Sequence, residues 1–164
     1  MASLVVEKKI NWTDEINPYY SFPFKDNINL NFKDLANHTS RLPRLPENLD
    51  LSDQANPYKN YGKKQIEEYL KNFLKLEHIK TNAYSNLGTG LLGYTLGLSQ
   101  NTTFQKLLQK KVFDHYKMNN SFTSSKNLND KLVKGQNPNG EITPNWEWDV
   151  LFGKAEFYLQ QKIW

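Results

Sequence analysis

The chemistry-bearing part of this 164-residue chain is the run Thr81–Gly97. A polar tripeptide, Tyr84-Ser85-Asn86, leads straight into a segment carrying Gly88, Gly90, Gly93 and Gly97. A phenol can relay a proton if a neighbouring ammonium lowers its usual pKa of about 10. Leu87, Leu91, Leu92 and Tyr94 recur at spacings of three, four and seven, which predicts one face of a helix. Each glycine inside a helix costs about 1 kcal/mol relative to alanine. Four of them suit a helix against which another backbone packs closely. The expectation is a buried helix whose N-terminal end presents Tyr84 and Asn86 to a cleft.

Gly88-Thr89-Gly90-Leu91-Leu92-Gly93 also matches G-x-G-x-x-G, and Asp114 follows at the distance of a ribose-binding acid. That fingerprint needs a hydrophobic strand immediately before the first glycine. His78 to Asn86 is polar, without a β-branched run, and no βαβ alternation follows. A dinucleotide module is therefore the weaker reading.

Composition narrows the remaining classes. The length suits one domain. The net charge is +4 and the pI about 9.1, yet the lysines are interspersed with acids, so no basic stripe for nucleic acid is present. There is no cysteine. His38, His78 and His115 lack paired-ligand spacing, so no metal and no cofactor are expected. No apolar run has the length of a membrane span. The start is too short in apolar residues for a signal peptide, which predicts a cytoplasmic chain as translated.

The elements that must position the tripeptide follow from periodicity and caps. Ala2–Val6 reads as the last turns of a buried helix. Asn31 is the expected N-cap of a short helix from Phe32 to Asn37. Ile66, Tyr69, Leu70, Phe73 and Leu74 predict an amphipathic helix over Lys63–Leu76. Phe104, Leu107 and Leu108 predict another from Thr103 to Lys111, capped by Thr102 or Thr103. Asn119 to Ser125 reads as a loop. Leu132 to Trp148 reads as strands or extended chain with a turn at Pro138-Asn139-Gly140. Trp12, Trp146 and Trp148 are expected as core or cleft-edge aromatics.

Y-S-N-L-G-T-G-L-L-G resembles the second signature of the penicillin-recognising serine hydrolases, in the branch of class C β-lactamases, D-alanyl-D-alanine carboxypeptidases and related esterases. Two further segments are similar to that family in the same order. One is Asn31–Ser40 with Leu42-Pro43, against a helix followed by H-T-S-G-L-P; the other is Val112–Met118, against I-F-x-P-L-G-M. Arg41 stands where the family has a glycine, so a strained turn is expected there.

The resemblance implies a mainly α chain with a few short strands. It would be the helical subdomain of the α/β β-lactamase/transpeptidase-like fold, lacking most of its antiparallel sheet. Tyr84 would be the proton shuttle and Asn86 the substrate-binding amide; His38 and Ser40 would be structural, tying their loop to the helix before it. The partner of the intact parent would be a β-lactam, a D-alanyl peptide or an ester. The family's S-x-x-K and K-[ST]-G or H-x-G motifs are absent from these residues, and Thr123-Ser124-Ser125-Lys126 is only T-x-x-K in a loop. The chain is thus expected to be a truncated piece, catalytically inactive as written, and either poorly soluble or a loosely packed monomer. Residues 1–152 would be a partial domain and residues 153–164 a frameshifted or divergent tail. A non-catalytic module binding cell-wall peptide is the alternative.

Overall fold

The computed structural model describes residues 1–78, 81–123, 128, 132–154 and 158–159. Its helices are α1 (Ala2–Val6), α2 (Phe32–Ala36), α3 (Lys63–Glu68), α4 (Asn86–Ser99) and α5 (Phe104–Leu108). Four two-residue strands follow: β1 (Ser121–Phe122), β2 (Gly135–Gln136), β3 (Ile142–Thr143) and β4 (Tyr158–Leu159). β1 pairs antiparallel with β4, and β2 with β3. The mainly helical expectation holds.

α4 is the axis of the packing. Of the predicted face, Leu87 and Leu91 are buried while Leu92 and Tyr94 are only partly so, and Leu96, outside that prediction, is buried as well. Gly90 and Gly93 face a tight turn of 3-10 helix, Val150–Lys154, that crosses the helix almost backbone to backbone. A Cβ on Gly90 would lie 2.7 Å from Leu151 Cδ2 and 2.9 Å from Leu151 Cα. One on Gly93 would lie 2.8 Å from Gly153 Cα, and one on Gly97 2.8 Å from the Thr102 carbonyl oxygen. The glycines therefore exchange helix propensity for van der Waals contact that no larger residue could make.

The segment before α2 is stapled to α4 from the other side. Tyr20 lies in an aromatic group, with ring centroids 5.0 Å from Phe24 and 5.6 Å from Phe22. Its hydroxyl is 2.7 Å from Thr95 Oγ1. Thr95 gives its own proton to the Leu91 carbonyl at 2.8 Å, so Tyr20 is the donor of the pair. Burial pushes the Tyr20 phenol well above the ordinary tyrosine range, while the bond to Thr95 acts in the opposite direction. An isolated bridge between Glu15 and Asn31 closes the loop that contains Tyr20, with Asn17 bonding the Ile28 carbonyl and the Leu30 N–H.

The shorter helices obey their caps. Asn31 Oδ1 accepts from Asp34 N–H at 2.8 Å, and Thr103 Oγ1 from Lys106 N–H at 3.3 Å. α1 buries Leu4 and is tied by Glu7 to Lys111, 2.6 Å apart. The Pro138-Asn139-Gly140 turn forms as expected, with Gly140 at φ +81°.

Three expectations need correction. The amphipathic helix over Lys63–Leu76 stops earlier: α3 passes into a single π-turn, Tyr69–Phe73, and Leu74 N–H closes on the Tyr69 carbonyl at 2.8 Å. The wider turn buries Tyr69, Leu70 and Leu74 together while leaving Phe73 only partly covered. α5 likewise ends in a π-turn, Gln109–Phe113, which buries Phe113. Asn119 to Ser125 is not all loop, because Ser121–Phe122 finds a distant partner in β4. Of residues 153–164 the structure describes only 153, 154, 158 and 159, so the tail lies largely outside the described residues, as do Ser124, Ser125 and Lys126.

A substitution pair separates helix propensity from close approach. Gly90→Ala should destabilise the fold by about 2 kcal/mol through overpacking against Leu151, although alanine is the better helix former. At Gly88 the nearest neighbour of an added Cβ is Ser85 Oγ at 3.3 Å, so Gly88→Ala should change stability by less than about 1 kcal/mol. Urea unfolding monitored by tryptophan fluorescence reads both.

Candidate active site

The tripeptide lies where α4 begins, and each member has a different environment. Ser85 is the N-cap, 1% exposed. Its Oγ accepts from Gly88 N–H at 2.9 Å and donates to the Pro43 carbonyl at 2.7 Å. The hydroxyl thus satisfies one orphan donor of the helix and joins the helix start to the Leu42-Pro43 crossing. Serine here therefore has a structural task.

Asn86 is the first residue of α4 and only 3% exposed. Its N–H and that of Leu87 both reach the Arg44 carbonyl, at 3.1 and 3.2 Å. Its side-chain oxygen is buried without a hydrogen-bond partner among the described residues. Leaving such an acceptor unmade costs about 1–3 kcal/mol. Tyr84, one residue before the cap, is 58% exposed. A buried, unmatched amide oxygen and an exposed phenol therefore stand two positions apart at one helix end; Asn86 is enclosed, not presented to an open cleft as the sequence suggested.

The Asn31–Pro43 segment supports this end. Thr39 and Ser40 N–H groups share the Asp34 carbonyl, at 2.9 and 3.1 Å, which ties the loop to α2 as expected. His38 does more than that expectation allows. Its Nδ1 accepts from Ser85 N–H at 3.1 Å, its carbonyl accepts from Ala83 N–H at 3.0 Å, and its ring centroid lies 4.8 Å from that of Tyr84. The sequence carries no signal for this contact; in the structure His38 has φ +57°, a left-handed conformation in which histidine is enriched.

Arg41, standing in the family's glycine position, does adopt the left-handed backbone, at φ +62°. Its strain is offset by two bonds to one partner. The Arg41 carbonyl accepts from Glu77 N–H at 2.8 Å, and Arg41 Nε donates to the Glu77 carbonyl at 2.9 Å.

The other candidates lie elsewhere or do other work. Asp114 is exposed and accepts from Gln109 Nε2 at 2.7 Å. Asn82 to Ser85 form no strand before the first glycine. Trp148 stacks on Tyr58 at 3.9 Å, with Trp146 edge-on to both rings, while Trp12 is 44% exposed. No group of three or more histidine, cysteine or acidic side chains among the described residues could hold a metal ion. No described helix is long and apolar enough to cross a membrane.

Comparison with known proteins gives this geometry a family. Residues 1–147 match the Beta-lactamase family, and the chain belongs to it. A curated relative, beta-lactamase-like protein 2 of Dictyostelium discoideum, is 35% identical over 115 residues, 68% of this chain and 21% of the relative. Among solved structures, a β-lactamase/D-alanine carboxypeptidase from Pseudomonas syringae superposes with a TM-score of 0.72 at 20% identity, covering 95% of this chain and 42% of that one. One of the same description from Yersinia pestis, complexed with citrate, has a TM-score of 0.71 at 19% identity, covering 98% and 46%. A class C β-lactamase from Rhodobacter sphaeroides has a TM-score of 0.70 at 15% identity, covering 97% and 44%. The chain therefore has the β-lactamase fold over less than half the length of these solved relatives, and about a fifth of the curated one.

Ser85→Ala tests the cap. It removes a buried donor–acceptor pair and should cost about 2 kcal/mol of stability. Backbone amide exchange should accelerate at Gly88 but not at Leu96, deep in the same helix.

Proposed function

We propose that these residues supply the tyrosine–asparagine half of an acyl-transfer site in a serine hydrolase acting on β-lactams, D-alanyl peptides or small esters. The observation that carries this reading is the buried, unpartnered Asn86 oxygen beside the exposed Tyr84 phenol. A buried acceptor left open at a cost of stability suits a group held ready for a donor that arrives with the substrate or the rest of the site.

In such a site a serine oxygen attacks the carbonyl, and its proton must pass to a base before the leaving nitrogen or oxygen takes one up. Tyr84 would carry that proton, and Asn86 would hold the substrate's amide in line. The nucleophilic serine and its lysine belong to a motif these 164 residues do not contain, so this chain taken by itself is not expected to form an acyl-enzyme.

Two measurements test the proposal. A fluorescent penicillin should not label the 164-residue chain covalently; labelling stable to denaturation would overturn the inactive half of the reading. Asn86→Ala should leave stability unchanged or raise it by up to about 1 kcal/mol, since it removes an unmatched polar group and favours the helix. A loss of 2 kcal/mol or more on urea unfolding would show that Asn86 is a structural residue and would refute its role in substrate binding.

A further inference from the structure

We infer that His38 is a positioning residue for Tyr84, acting as a neutral imidazole with its proton on Nε2. The inference rests on the reading of Tyr84 as the proton carrier and names what holds that carrier in place. The two backbone N–H groups that flank Tyr84 both go to His38. Ala83 N–H reaches the His38 carbonyl at 3.0 Å, and Ser85 N–H reaches His38 Nδ1 at 3.1 Å. The Tyr84 ring, between those two anchors, lies against the imidazole with centroids 4.8 Å apart and planes at 40°. One residue thus constrains the backbone of Tyr84 on both sides and one face of its ring.

Both elements are also held by bonds that do not involve the His38 side chain. The loop carrying His38 is already tied to α2 by the Thr39 and Ser40 N–H groups on the Asp34 carbonyl and by Thr39 Oγ1 on Asp34 Oδ1 at 2.7 Å. The start of α4 is already capped by Ser85 Oγ. The His38 side chain supplies the partner of the buried Ser85 N–H, which the Ser85 cap does not satisfy, and its residue adopts a left-handed backbone, φ +57°, which costs an L-residue about 1–2 kcal/mol. It also packs against Tyr84, a residue 58% exposed, at its ring. Holding a reacting group near its working geometry is the usual means by which a proton-transfer site gains rate.

The chemistry of the contact sets the protonation state. An N–H donor needs a lone pair on Nδ1, and the imidazolium has none, so the imidazole that makes this bond is neutral and carries its hydrogen on Nε2. No other tautomer or charge state supports the geometry.

The test is solution NMR on the full 164-residue chain and two variants. In the unmodified protein at neutral pH, long-range imidazole spectra should show an unprotonated Nδ1 and a protonated Nε2. A proton on Nδ1 overturns the inference without any mutation. His38→Asn places an amide oxygen near the position of Nδ1 and tolerates the left-handed backbone, but has no ring. It should keep slow exchange of the Ser85 amide while the Tyr84 ring resonances lose their displacement. His38→Gly accepts the backbone and removes both contacts, so Ser85 exchange should also become fast, while Gly88 stays protected by the cap. Tyr84 ring resonances unchanged in both variants would overturn the inference. None of these readouts involves acyl transfer, so they stand or fall separately from the penicillin result.

Discussion

The structure depends on one close approach, between the glycine face of α4 and the turn Val150–Lys154. At Gly90 and Gly93 the backbones come near enough that a methyl group would sit 2.7 to 2.8 Å from Leu151 and Gly153. Such a helix is a poor one by itself, since its glycines each cost about 1 kcal/mol of propensity. It persists because dispersion contact on the glycine face and buried Leu87, Leu91 and Leu96 elsewhere outweigh that loss. α4 is therefore stable only in place, and its two ends inherit their positions from the packing of its middle.

The candidate site follows from that constraint. With the helix axis fixed, its N-terminal end can carry an arrangement that is locally unfavourable. Asn86 is buried with its oxygen unmatched, and His38 and Arg41 adopt left-handed backbones on the adjoining loop. Each costs stability, and each stands within a few residues of the exposed phenol of Tyr84 or of the crossing that supports it. Where such costs collect around one reactive group, function is the usual reason for them. The Ser85 cap and its bond to Pro43 keep the helix start from fraying under that load.

What the sequence reveals divides by range. The α4 glycine face, the Asn31 and Thr103 caps, and the Pro138-Asn139-Gly140 turn depend on neighbours a few positions away, so residue type and spacing suffice to find them. The π-turn at Tyr69–Phe73 does not announce itself, because its apolar residues keep helical spacing until tertiary packing pulls Leu74 onto Tyr69. The β1–β4 pair is two residues long and joins remote segments, which leaves no periodic signal in Asn119 to Ser125. At the site, Tyr84 and Asn86 are recognisable by their resemblance to a family signature. The hold of His38 on Ser85 spans 47 positions, and the open Asn86 oxygen exists only once the surrounding residues have closed over it.

The central claim is that α4 takes its order from contact along the glycine face and not from its own propensity. Native-state hydrogen exchange resolved by residue tests this directly. Amides from Leu91 to Leu96 should be the slowest in the chain and should exchange only through global unfolding, with the same denaturant dependence as the urea transition. Exchange of those amides through local opening, while the rest of the core stays protected, would contradict the account.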